Sequence, residues 1–198
     1  MQDKPDLAAL VGSRICHDLI SPIGAIGNGV ELLTLAGGAQ GPEVALISES
    51  VAHANARVRF FRVAFGASSG DQRIGRREVA DILAGLTRGG RIEVDWQGPQ
   101  DMARREVKLA FLLILCLETA LPQGGRITAS RSDSRWTLLA EAPRLKVDPD
   151  LWEVLSTPAA TAAIGPAQVQ FVLVQEEITR QQRRLAVEVA ETVIRFTF

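Results

Sequence analysis

Two long segments of helical periodicity, separated by a run rich in glycine, constrain this chain most. Residues 5–36 predict one helix, with Pro5 near its start, where a missing amide hydrogen costs nothing. Glycines between residues 37 and 41 predict a turn, and a second helix follows over about 42–66. Its apolar residues recur at alternating steps of three and four, the spacing of a bundle seam. The seam residues are Val44, Ile47, Val51, Ala54, Val58, Phe61 and Phe65.

A single helical hairpin of this kind has more apolar surface than it can bury. Two helices joined by a short turn lie antiparallel, and a second hairpin is needed to cover the remaining faces. The pattern therefore predicts a homodimer held together by a four-helix bundle. The small residues from Gly66 to Gly70 predict a linker, so residues 1–68 form the predicted hairpin domain and residues 69–198 the second domain.

The sequence pattern of the second domain predicts a layer of helices on a mixed sheet. Together with the helical hairpin, this gives the whole chain a fold of the α + α/β class. Helices are expected over 75–88, about 102–121 and 166–181, and a proline-containing loop precedes the last of them. Strands are expected over 92–96, 126–131, 135–141, 184–190 and 192–198. The tryptophans Trp96, Trp136 and Trp152 are expected to fill the core and edges of this domain.

Composition and charge exclude several classes of protein. The longest apolar run, Leu109–Leu117, is half of the roughly 18 to 20 residues that cross a bilayer, and no signal peptide is evident. The formal charge of -1 gives no basic field for nucleic acid or an anionic membrane. Two cysteines are too few for a disulfide framework or a zinc site. These features predict a cytoplasmic protein that binds neither nucleic acid nor membrane.

The segment from Cys16 to Ile23 is the most informative part of the chain. At about 100° per residue, His17 lies nearly opposite the apolar stripe of the first helix. The stripe comprises Leu7, Val11, Ile15, Leu19, Ile26, Val30 and Leu33. The face around His17 carries small or polar residues, namely Ser13, Ser21, Gly24, Asn28 and Glu31. This face is a shelf that another protein could approach closely. Pro22 lies inside the helix, where a proline costs about 3 kcal/mol of helix stability, and a cost of this size indicates a functional reason for it.

A histidine on an exposed helix face is usually only a solvated side chain, but the neighbours of His17 change that interpretation. His17, Asp18, Leu19, Pro22 and Ile23 match every fixed position of the H-box, so the segment resembles that of histidine kinases and their phosphotransfer relatives. Imidazole is nucleophilic near neutral pH and stores a phosphoryl group as a phosphoramidate. Asp18 is expected to orient the ring by bonding one nitrogen, which leaves the other free to attack.

The wider stretch HDLISPIGAIGNGVELL and the second-helix stretch RVRFFRVAFG are similar to the ChpT-type bacterial histidine phosphotransferases. The resemblance covers the whole chain, strongly over residues 14–66 and weakly beyond 130. It implies a homodimeric bundle that carries the histidine, and a second domain with the kinase ATPase fold that no longer binds ATP.

The boxes that bind ATP in kinases are degraded in this chain. Leu115 and Thr119 stand where two asparagines are needed, and neither can ligate Mg²⁺ as an amide oxygen does. The segment 141–145 lacks the glycines of the adenine box, and 164–167 retains one glycine of the phosphate lid. The sequence therefore predicts no ATP binding and no cofactor of its own.

The resemblance implies a phosphorelay intermediate. A receiver domain carrying phosphoaspartate would dock beside the bundle, His17 would take the phosphoryl group, and the aspartate of a response regulator would take it back. The receivers would supply Mg²⁺ from their own acidic pockets. By resemblance the donor is the receiver of a hybrid histidine kinase, and the second domain helps contact the receiver. The alternative is a pseudo-kinase scaffold that binds receivers without accepting phosphate, although a scaffold has no need of His17 with Asp18.

A docking surface for receivers is predicted from the antiparallel hairpin. A turn centred near residues 39 to 40 puts Arg62 level with His17, and Asn55 near Gly24, because each helix rises about 1.5 Å per residue. Arg59 and Arg62 are expected to attract an acidic receiver surface, and the alternative for them is a solvated basic face. The predicted partner-binding residues are Ser21, Gly24, Asn28, Glu31, Asn55, Arg59 and Arg62.

Overall fold

A helical hairpin leads into an α/β layer in the computed structural model, which describes residues 6–36, 42–68, 71–157 and 164–198. The helices are α1 (Leu7–Ala36), α2 (Pro42–Ala64), α3 (Arg76–Thr87), α4 (Arg104–Ala120), α5 (Pro149–Ser156) and α6 (Val169–Arg180), with a 3-10 turn at Pro166–Gln168. The strands are β1 (Arg73–Gly75), β2 (Ile92–Gln97), β3 (Asp101–Ala103), β4 (Gly125–Ser132), β5 (Arg135–Glu141), β6 (Ala186–Val189) and β7 (Val193–Thr197).

Helix α1 starts at a side-chain cap. The carboxylate of Asp6 accepts hydrogen bonds from the backbone amides of Ala8 and Ala9, both at 3.1 Å, and so satisfies two free donors of the first turn. The helix then runs through Pro22 to Ala36. The predicted start at Pro5 and the predicted glycine turn at 37–41 lie outside the described residues.

The register between α1 and α2 differs from the predicted one by about one helical turn. Gly29 on α1 leaves room for Ile47, whose side chain occupies the place of the missing Cβ. Arg57 correspondingly lies beside Asp18, with 3.6 Å between its guanidinium and the carboxylate. The prediction that Arg62 lies level with His17 is therefore wrong, and so is the pairing of Asn55 with Gly24. The packing of Ile47 against Gly29 fits this register and not the predicted one.

The last turns of α2 belong to the core of the α/β layer. Phe60, fully buried, stacks on Phe111 of α4 with ring centroids 4.6 Å apart. Phe111 in turn meets Trp96 edge-on at 6.2 Å, and Trp96 lies 4.9 Å from Trp136. The aromatic residues thus join the hairpin to the sheet, as expected for tryptophans that fill the core. The boundary at residues 68 and 69 stays a prediction, since hairpin and layer share one hydrophobic cluster.

The predicted layer of helices on a mixed sheet is confirmed. Five strands lie in the order β2-β4-β5-β7-β6, with β2 parallel to β4 and the other neighbours antiparallel. Alternate residues of the central strands, such as Trp136, Leu138 and Ala140, are buried under the helices, as period-two side chains require. Strands β1 and β3 form a separate antiparallel pair.

The apolar run Leu109–Leu117 forms the buried centre of α4, which contacts α2, α6 and the sheet. A helix that is apolar on all sides has no face for water, and here its neighbours cover every side. Within the described parts of the chain, the model contains no helix with the length and apolar character needed to cross a membrane.

Some elements of the second domain depart from the predicted ones. Helix α5 lies in the predicted loop, and its start carries the usual signals: the Asp148 carboxylate accepts from the Leu151 amide at 3.3 Å, and Pro149 occupies the first turn. Helix α6 begins at Val169 because residues 166–168 form the 3-10 turn. Strands β1 and β3 span three residues each, too few to show a period.

A buried ion cluster ties α4 to the sheet and to the segment after α6. The Glu106 carboxylate lies 3.1 Å from the guanidinium of Arg131 and 2.6 Å from that of Arg183. It also accepts a hydrogen bond from the Trp136 indole at 3.3 Å. The exposed fraction of the Glu106 side chain is 9%, so this carboxylate depends on its partners for compensation.

Candidate functional site

His17 stands on the outer face of α1 with its imidazole 84% exposed. Its Nδ1 lies 3.1 Å from the Oδ1 of Asp18. An ionised carboxylate has no proton to donate, so this hydrogen bond requires the proton on Nδ1. In the neutral ring the lone pair then resides on Nε2, so Nε2 is the atom that can act as a nucleophile.

Asp18 is much less exposed than its neighbour, at 11% of its side chain, and is held by two guanidinium groups. Its Oδ2 lies 2.8 Å from the Nε of Arg14, one turn earlier on α1, and 3.6 Å from the NH1 of Arg57 on α2. Because Oδ2 is engaged by these cations, Oδ1 is presented to His17. The expected contact between Asp18 and the imidazole is present in the structure.

A second carboxyl group, that of Glu118 on α4, lies within electrostatic range of the same cluster. Burial raises the pKa of the Glu118 carboxyl from its ordinary 4.5 to about 7, and the negative charge of Asp18 adds to this rise. The guanidinium groups of Arg14 and Arg57 oppose it by favouring the ionised form. The α/β layer therefore places a carboxyl group with a pKa of about 7 within electrostatic range of Asp18.

The pH dependence of stability tests this environment. A carboxyl group whose pKa is higher in the folded than in the unfolded state stabilises the fold fully at pH values below its unfolded-state pKa. This stabilisation is lost as the pH rises through about 7, the pKa in the folded state. We therefore expect Glu118→Gln to match the wild type at about pH 5 and to be more stable at about pH 8, by roughly 1 to 3 kcal/mol. Urea denaturation at both pH values measures the difference. Glu93→Gln, at an exposed site, serves as the control. Parallel pH profiles for wild type and Glu118→Gln would contradict the assignment.

The sequence reasoning did not single out Arg14, Arg57 or Glu118. Arg14 and Asp18 have the i, i+4 spacing of a helical ion pair, so the contact of Arg14 with Asp18 was predictable from the sequence. Arg57 and Glu118 come from other elements, and only the folded chain brings them to Asp18.

The predicted shelf on α1 is exposed. Each of its four predicted partner-binding residues, Ser21, Gly24, Asn28 and Glu31, is open to solvent, and a Cβ added at Gly24 would meet no heavy atom within 4 Å. Ile20 and Ile23, at 68% and 57% exposure, add apolar surface close to His17.

The predicted docking residues on α2 lie apart from Asp18. Asn55 and Arg59 line a cavity between α2 and α3 together with His53, Asp81 and Arg88. The Arg62 side chain is exposed, and its backbone carbonyl accepts a hydrogen bond from Arg104 at 2.6 Å. Arg57 is the residue of this helix that reaches Asp18.

Comparison with known proteins identifies the family. The sequence model of the family described as "Histidine phosphotransferase C-terminal domain" matches residues 76–193. A relative from Brucella abortus (strain 2308), "Protein phosphotransferase ChpT", is 37% identical over 171 residues, covering 83% of this chain and 81% of the relative. The chain belongs to the ChpT-type histidine phosphotransferases. The 171 aligned residues are more than the α/β layer contains. The alignment therefore also includes part of the hairpin that carries His17.

One solved structure of a bacterial phosphotransferase agrees with this assignment. The chain of "1.7 Angstrom Structure of a Bacterial Phosphotransferase" superimposes with a TM-score of 0.80 at 32% sequence identity, over 100% of the histidine phosphotransferase and 97% of that chain. The histidine kinase AdeS of Acinetobacter baumannii gives a TM-score of 0.44 at 12% identity, over 91% and 95% of the two chains.

Proposed function

We propose that this histidine phosphotransferase is the intermediate of a bacterial phosphorelay. His17 accepts a phosphoryl group from the aspartate of a receiver domain and passes it to the aspartate of a response regulator, without using ATP. The observation that carries the proposal is an exposed imidazole whose Nδ1 is held by a sequestered carboxylate. Family membership supports the phosphotransfer role.

The reaction needs a nucleophile and a neutralising charge, and the H-box offers both. The lone pair on Nε2 of His17 attacks the phosphorus in line with the aspartyl oxygen of the receiver. The P–N bond forms as the P–O bond breaks, and the receiver carboxylate leaves with the electron pair. Nδ1 keeps its proton, and the positive charge that grows on the ring is stabilised by Asp18 at 3.1 Å. The reverse sequence returns the group to a second aspartate.

Receivers are the proposed partners because the proposed reaction takes the phosphoryl group from one carboxylate and returns it to another. The donor is the receiver of a hybrid histidine kinase, the acceptors are response regulators, and Mg²⁺ belongs to their acidic pockets. Ser21 and Gly24 permit close approach of the receiver, and the exposed Ile20 and Ile23 supply apolar contact. Asn28 and Glu31 on α1 remain proposed contacts of the receiver, and so do Asn55, Arg59 and Arg62 on α2.

The test of the function is transfer of label from a phosphorylated receiver domain to the purified protein. Label that is labile in acid and stable in base identifies a phosphohistidine. A protein that binds several phosphorylated receivers and takes label from none would overturn the proposal and would favour the scaffold.

The proposed independence from ATP rests on the residues in the former nucleotide site. Leu115 is buried, and the hydroxyl of Thr119 donates to the Cys116 carbonyl at 2.7 Å, so neither offers the amide oxygen of an asparagine. We expect calorimetric titration with Mg-ATP to give no binding heat. A dissociation constant in the micromolar range would contradict this.

The proposed homodimer would cover apolar side chains that one chain leaves exposed. Val51 and Val58 of the predicted seam are 40% and 43% exposed, and Val30 and Leu35 on α1 are 52% and 79% exposed. Burial of such side chains supplies about 25 cal/mol per Å² of apolar surface, so pairing of two hairpins is favoured by covering them. We expect sedimentation equilibrium to give the mass of two chains, and Val51→Glu to give one. A monomeric wild type at micromolar concentration would rule out the bundle.

A further inference from the structure

Arg14 connects the H-box to the α/β layer. Its Nε lies 2.8 Å from the Oδ2 of Asp18, and its NH1 donates to the backbone carbonyl of Ala167 at 2.7 Å. Ala167 belongs to the 3-10 turn at Pro166–Gln168, far along the chain and just before α6. The Arg14 side chain is 16% exposed, whereas Ala167 at the other end of this bridge is exposed to solvent. One guanidinium therefore holds both a carboxylate on α1 and the backbone of the α/β layer.

The carbonyl that receives Arg14 is fixed by the layer itself. Ala167 O also accepts a hydrogen bond from the side-chain amide of Gln170, at 3.0 Å, and Gln170 is completely buried. The turn is closed by a second bond, from the Gly165 amide to the Gln168 side chain at 3.1 Å. Helix α1 packs against this turn and against α6. The acceptor for Arg14 thus belongs to a turn that is held by two further hydrogen bonds and by contacts with α1.

A guanidinium presents its donors in a fixed plane, so two partners at different edges set its orientation. The carboxylate of an aspartate otherwise turns readily about its last side-chain bond. With Oδ2 of Asp18 bound to Arg14 and approached by Arg57, Oδ1 is directed to Nδ1 of His17. The orientation of the imidazole therefore depends, through Asp18 and Arg14, on a contact with the α/β layer.

We propose that Arg14 is a positioning residue through which the α/β layer holds Asp18 and His17 in the geometry for phosphoryl transfer. This inference rests on the proposed function. It gives the segment 164–167, which by resemblance stands in the place of the phosphate lid, a role in transfer that does not involve nucleotide. It also gives the second domain a task at the histidine besides any contact with the receiver.

The experiment compares Arg14→Met and Arg14→Lys in the full-length protein. The first readout is the tautomer ratio of His17 from the ¹⁵N chemical shifts of its ring at alkaline pH, where imidazole is neutral. The chain contains two histidines, so the spectrum of His17→Gln assigns the signals. The second readout is the rate of transfer from a phosphorylated receiver at saturation, together with the affinity for that receiver.

In Arg14→Met we expect loss of the preference for a proton on Nδ1 and a transfer rate lower by about 10- to 100-fold, with receiver affinity unchanged. Arg14→Lys should retain part of the tautomer preference and part of the transfer rate. The lysine ammonium reaches the Asp18 carboxylate but lacks the second fixed donor for the Ala167 carbonyl. The matched control is Arg73→Met, which removes an arginine with the same 2.8 Å contact to a carboxylate, at an exposed site on β1.

An unchanged tautomer ratio or an unchanged transfer rate in folded Arg14→Met overturns the inference. If Arg14→Met does not fold, Gln170→Met replaces it, because that change removes only the support of the Ala167 carbonyl and is expected to act in the same direction, more weakly. A wild type that takes no label from any receiver would defeat the proposed function instead, and the tautomer ratio alone would then decide the role of Arg14.

Discussion

A His17→Gln variant is expected to accept no phosphoryl group from a phosphorylated receiver. An amide nitrogen has no available lone pair, so the P–N bond cannot form and the loss should be complete within detection. The side chain is 84% exposed, so its replacement should change the free energy of unfolding by less than about 0.5 kcal/mol. The measurement is a gel assay of labelled protein with acid and base treatment, alongside thermal denaturation of the variant.

The matched control for this experiment is the second histidine of the chain. His53 lies on α2 and faces the cavity beside α3, and His53→Gln should take label as the wild type does. The assignment of His17 would be contradicted if His17→Gln took label. It would also be contradicted if His53→Gln were the one variant that took none. Receiver binding that survives in His17→Gln would separate docking from chemistry.

A Glu106→Ala variant is expected to lose about 3 to 5 kcal/mol of stability. The substitution leaves two guanidinium groups, those of Arg131 and Arg183, without their shared carboxylate, and each of these side chains is 22% exposed. It also removes the acceptor for the Trp136 indole. Urea denaturation at one fixed protein concentration measures the change, since unfolding of a dimer depends on concentration.

Glu93→Ala provides the comparison for a surface pair. Its carboxylate lies 2.8 Å from Arg126, similar to the contacts of Glu106, but the side chain is 65% exposed. Water compensates both charges there, so we expect a change below about 1 kcal/mol. Equal losses in the two variants would mean that burial does not govern the Glu106 cluster.

The hairpin and the main helices of the layer were predictable because their signals are local. Apolar positions at steps of three and four predict α2, and the uniformly apolar run 109–117 belongs to one buried helix, α4. Helix α5 also has a local start signal, because Asp148 caps it and Pro149 follows in its first turn. The three-residue strands carry no comparable signal, because their pairing across the chain creates them.

The sequence by itself determined which residue is proposed as the nucleophile and which neighbour contacts it. His17 and Asp18 are neighbours in the chain and belong to one recognisable motif, so their contact needs only the local helix. The tertiary structure alone decided which groups from other elements surround that pair. Arg57 and Ala167 contact α1 from elements that lie 39 to about 150 residues away along the chain, and Glu118 on α4 lies within electrostatic range of Asp18. The packing of Ile47 on Gly29 sets the level of Arg57. Hydrophobic periodicity identifies a buried face but not the register at which two faces meet, because register depends on how individual side chains fit.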